Sequence, residues 1–95
     1  MNDRAIIAED SAPSLPRHVK LRRDTARDRW VLLAPERVLV PDEIAVEILQ
    51  RLDGQATVGA VADDLAQKYQ SPRAEVLRDV IEMLQDLADK GFLAA

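Results

Sequence analysis

Two short β-runs leading directly into a capped helix restrict this chain more than any other feature. Arg29-Trp30-Val31-Leu32-Leu33-Ala34 is almost continuously apolar, Pro35 breaks it, Arg37-Val38-Leu39-Val40 follows, and Pro41-Asp42 opens a helix. Upstream, Val19, Leu21 and Arg23 alternate with His18, Lys20 and Arg22, the period-two signature of a half-buried strand starting at His18. The polar run Asp24–Asp28 is long enough for a hairpin loop. The middle run, apolar on both faces, belongs between two neighbours. The third is short and stops at Pro41, as edge strands that resist uncontrolled pairing do. No strand pattern follows it, so the sheet ends beside helices and offers an edge to which an extended peptide can add.

Three helical segments complete the chain. The first runs from about Asp42 to Leu52, with Ile44, Ala45, Ile48, Leu49 and Leu52 as its apolar stripe and Gly54 beyond its end. Thr57 is a plausible N-cap for the second, which turns Val61, Ala62 and Leu65 inward and ends near Tyr69. Ser71-Pro72 reads as an N-cap followed by proline at the first helical position of the third, which runs to Lys90 with Gly91 after it. The apolar residues of this third helix (Val76, Leu77, Val80, Ile81, Met83, Leu84, Leu87 and Ala88) span roughly 160°, wider than the ~100° stripe of an ordinary surface helix. Either the helix is wedged between two neighbours or one flank of the arc is spare. The pattern as a whole implies an α+β fold: a winged-helix-like domain with a three-stranded antiparallel sheet followed by a three-helix bundle.

Ninety-five residues suffice for one domain. Residues 1–16, broken by Ser11, Pro13, Ser14 and Pro16, read as a flexible N-terminal tail, and 17–95 as the domain. The absence of cysteine excludes disulfides and thiolate chemistry, and a single histidine leaves little for metal binding or triad catalysis, so no cofactor and no catalytic residue is expected. No signal-peptide pattern and no membrane-length apolar run is present, which points to a cytoplasmic protein without a membrane partner. Charge is divided along the chain. Residues 1–37 carry eight basic and six acidic side chains, net +2, and residues 38–95 carry five and eleven, net −6. The strands are mildly basic and the helices acidic.

Specific residues resemble a known family. Pro16-Arg17-His18-Val19, the run Arg27–Leu39, Ile48-Leu49 with Asp53-Gly54, and Leu84–Gly91 are similar to the pyrroloquinoline quinone biosynthesis protein D (PqqD) family. The similarity spans residues 16–95, and the Arg29–Leu39 run is its specific part. Leu52 stands where that family often has cysteine. The resemblance implies a peptide chaperone of the recognition-element type. Such a protein binds the ribosomally made precursor PqqA and presents it to the radical S-adenosylmethionine enzyme PqqE, which crosslinks a Glu and a Tyr of the peptide. It also implies that the precursor's leader adds as a strand beside the third strand and packs on the third helix.

The expected peptide site therefore comprises Arg37, Val38, Leu39 and Val40 with Leu77, Val80, Ile81 and Leu84. The Leu77/Ile81/Leu84 flank is preferred because Arg78 borders it and suits an acidic leader, with Val76 and Met83 as the alternative flank. A winged helix is also a common nucleic-acid binder. Here the recognition helix would carry Glu75, Asp79, Glu82, Asp86 and Asp89, which repel phosphate, so no nucleic-acid partner is expected. The free edge leaves two oligomeric states open, a monomer or a homodimer formed by strand exchange.

Overall fold

The computed structural model describes residues 6–94. Strands β1 (Lys20–Asp24), β2 (Arg29–Ala34) and β3 (Arg37–Leu39) form one antiparallel sheet in the order β1-β2-β3. The apolar strand is central, as its sequence requires. Lys20 lies opposite Leu33 and Asp24 opposite Arg29, while Leu32 pairs with Leu39 and Ala34 with Arg37. Alternation turns Leu21, Leu32, Ala34 and Leu39 toward the helices, where they join or pack on the core. Two boundaries differ from expectation. The Val19 amide is drawn to the Pro16 carbonyl (3.0 Å) in a turn, so β1 begins at Lys20 rather than His18. Val40 falls outside β3.

Helices α1 (Glu43–Gln50), α2 (Val58–Tyr69) and α3 (Arg73–Asp89) follow. Thr57 Oγ1 accepts the Ala60 amide at 3.1 Å, the cap expected of it, and Asp42 caps α1 rather than opening it, its Oδ1 accepting the Ala45 amide at 2.8 Å. Ser71 does not cap α3. Its amide closes the end of α2 on the Ala66 carbonyl (3.0 Å), with Gln70 left-handed at φ 50°, and Pro72 occupies the N-cap position without a side-chain bond. Gly54 (φ 81°) lies past α1 in a turn held by Asp53 Oδ1, which accepts the Gln55 and Ala56 amides. Gly91 (φ 86°) ends α3 as expected.

The expected free tail does not hold over residues 6–16. Ile7 is 4% exposed within the core cluster, and Pro13 is fully buried. Five backbone amides fasten the segment: Val58 to Ser11 O, Gly59 to Glu9 O, Gly54 to Pro13 O, and the two of a reciprocal Ser14–Ala94 bridge at 2.9 Å. The segment is a strap across the helices. Its prolines and serines prevent helix or strand, but they do not prevent pairing with distant backbone. Residues 1–5 of the predicted tail lie outside the described residues.

Candidate functional site

Three faces of α3 decide where a peptide can sit. Val80, Leu84 and Leu87 are 2%, 0% and 5% exposed and form the central seam of the core. To one side lie Leu77 and Ile81, with Gln85 one turn beyond Ile81 on the same face. Gln85 Oε1 accepts the Ile7 amide at 2.8 Å, so the strap crosses that flank. To the other side lie Val76, Asp79 and Met83, facing α1 and α2 across an open groove of about 430 Å³. Ile44 and Ile48 of α1, Leu65 and Tyr69 of α2, and Val80 at the base complete its lining, together with Asp42.

The third strand is the free edge of the sheet and approaches the C-terminal end of α3. At its start, Arg37 Nη1 donates to the Lys90 carbonyl (2.6 Å) and the guanidinium stacks 4.4 Å over the Phe92 ring, tying β3 to the C-terminal end of α3. Five residues beyond β3, Ile44 lines the groove with Val76 and Asp79 from the other half of α3. The chain leaving the unpaired edge strand thus enters the groove wall at Asp42 and Ile44, which line it together with Val76 and Asp79 of α3.

Placed in this frame, the expected residues separate. Val38 (64% exposed) and Val40 (50%) are accessible, Leu39 turns inward, and Arg37 is engaged at the end of α3. Val80 forms only the buried base of the groove, and Leu84 reaches no surface. Leu77 and Ile81 share the flank of Gln85, which the strap reaches, and are half-buried against the core. The open groove is lined by the alternative flank, Val76 and Met83, and not by Leu77 or Ile81. Arg78 is exposed and pairs loosely with Asp79 (3.9 Å). Sequence reasoning also missed Ile44, which it assigned to the core stripe of α1. Ile44 is 48% exposed, on the edge of that stripe farthest from buried Val46.

Polar groups around the groove are fixed. Glu47 accepts hydrogen bonds from Lys68 Nζ and the Tyr69 hydroxyl, with Arg51 at 3.7 Å. The Lys68 bond first, then that of Tyr69, holds the Glu47 carboxyl below its ordinary range, and the same bonds raise Lys68 and Tyr69. Tyr69 is thereby held as a wall of the groove. At the far end of α2, Arg73 binds Asp63 and, at 2.8 Å, Glu9, which raises its pKa and latches the strap onto the start of α3. Among the described residues no cluster of His, Asp or Glu is arranged to hold a metal.

The sequence of residues 29–93 matches the family of coenzyme PQQ synthesis protein D, PqqD. The chain belongs to the PqqD family. A curated relative called PqqA binding protein, from Rhodopseudomonas palustris strain HaA2, is 66% identical over 87 residues, which is 92% of this chain and 85% of that protein. The solution structure of the PqqD truncation of Methylobacterium extorquens PqqCD matches with a TM-score of 0.81 at 40% identity, covering 94% of this chain and 95% of that one. That PqqD is described as a functional, stand-alone recognition element for ribosomally synthesised and post-translationally modified peptides. The crystal structure of PqqD from Xanthomonas campestris matches with a TM-score of 0.61 at 43% identity, covering 94% and 99%. The winged-helix-like order of three strands and three helices is the PqqD architecture.

Proposed function

We propose that this chain is a non-catalytic carrier that binds a PqqA-type precursor peptide and presents it to the radical S-adenosylmethionine enzyme PqqE. One observation supports the reading: a free strand edge leads within five residues into the wall of an apolar groove on α3, in a protein whose relatives are called PqqA binding proteins. An extended leader adds beside β3, and its inward-facing side chains enter the groove between Ile44, Val76 and Met83.

Energetics make the groove indispensable. A three-residue strand offers about three main-chain bonds, net ~0.5–1.5 kcal/mol each. Ordering a disordered leader costs ~2–5 kcal/mol, so the ladder alone roughly balances. Apolar anchors at ~1.5–3 kcal/mol apiece supply the affinity. Carrying the leader on a protein that also docks on the enzyme makes delivery nearly intramolecular. Titrating isotopically labelled protein with the precursor tests the site. Amide shifts should concentrate on residues 37–44 and around Val76, Asp79 and Met83; shifts confined to α2 and the strap would refute it. Crosslinking by PqqE with and without this protein tests presentation, and equal yields would remove that role.

A further inference from the structure

The sheet has a second face, away from the helices, which the groove does not use. Lys20, Leu33 and Val38 lie side by side across it in register, and Arg22 and Val31 form the next row. Alternation turns Val31 and Leu33 outward, yet Val31 is only 8% exposed and Leu33 is half-buried. The accessible apolar surface here is Val38, 64% exposed, with Val40, 50% exposed, just past the end of β3, flanked by cations. Lys20 and Arg22 are exposed and enter no ion pair among the described residues, unlike Arg23, Arg27 and Arg29, which pair with Asp24 or Asp28. Of the strand residues on this face only Asp24 is acidic, and Arg27 and Arg29 neutralise it.

We propose that this outer sheet face, with Lys20 and Arg22 beside the Val38/Val40 strip, docks an acidic, apolar-centred surface of the modifying enzyme. The inference rests on the carrier reading above, and charge complementarity selects the occupant. Two unpaired cations on the sheet of a protein whose helical half is at −6 mark a local field for an acidic partner. Nucleic acid fits less well, because phosphates would leave Val38 and Val40 uncovered. A leader added at β3 widens this face by one strand, and every second leader side chain then lies level with Val38. The enzyme thus meets a surface built partly from its own substrate, so it favours the loaded carrier over the empty one.

The test compares the unmodified chain with the Lys20→Glu/Arg22→Glu variant, neither side chain having an ion-pair partner among the described residues. Affinity for fluorescently labelled precursor peptide should stay within about twofold, because the groove is untouched. Association of the loaded variant with PqqE in ~0.05 M salt should weaken on the order of tenfold or more and lose most of its salt dependence. Unchanged PqqE binding overturns the docking face while leaving the peptide groove intact. Loss of precursor binding in the unmodified chain instead defeats the carrier reading. Should the unmodified chain self-associate, or bind duplex DNA, in a manner that the double variant abolishes, the face belongs to another occupant and the proposal is wrong.

Discussion

Replacing Met83 separates the two flanks of α3. Its side chain is half-buried, packing on the core at one end and lining the groove at the other. Met83→Ala removes part of an anchor surface whose full value is ~1.5–3 kcal/mol, so about half remains available to a peptide. Peptide affinity should fall by ~1 kcal/mol, about fivefold, with a stability loss of similar size. Met83→Asp adds a carboxylate near Asp42 and Asp79, which already belong to the groove lining, and should weaken binding well beyond tenfold. Ile81→Asp is the counterpart on the strap side. It places a charge where Ile81 packs against the core, so it should cost ~2–4 kcal/mol of stability yet leave the affinity of the folded fraction nearly unchanged. Anisotropy titration with labelled precursor gives the affinities, and thermal unfolding followed by circular dichroism gives the stabilities. A folded Ile81→Asp protein that cannot bind, beside a Met83→Asp protein that binds normally, would refute the assignment of flanks.

Arg73→Ala should free the strap without unfolding the domain, seen as faster amide exchange at Ile7 and Gly59 while α2 and α3 stay protected. Glu47, with its folded pKa lowered, contributes stability that is present above the ordinary carboxylate range and lost as pH falls through it, below about pH 4. Glu47→Gln should therefore flatten the acid limb of a stability–pH profile measured by denaturant unfolding; an unchanged limb would contradict this. Duplex DNA should not bind at ~0.15 M salt, since Glu75, Asp79, Glu82, Asp86 and Asp89 are all exposed on α3; micromolar binding in a fluorescence titration would argue for a regulator.

Local chemistry written into the sequence determined the elements and their order. Pro35 and Pro41 delimit β3, the unbroken run from Trp30 to Ala34 demands a central strand, and Asp42 and Thr57 supply caps within a single turn of the helices they start. The width of the apolar arc on α3 was equally legible, because helical periodicity depends only on spacing. What the sequence could not decide was which flank of that arc is spare. That depends on Ile7, 78 residues away from Gln85, and on a bridge between Ser14 and Ala94, contacts that leave no periodic trace in an irregular segment. Ser71 shows the same limit at short range. Two helices compete for one residue, and the closure of α2 takes it. The strap reaches one side of α3 at Gln85, and Arg37 ties β3 to the chain just past the end of α3. Both are long-range pairings that only the folded chain can make.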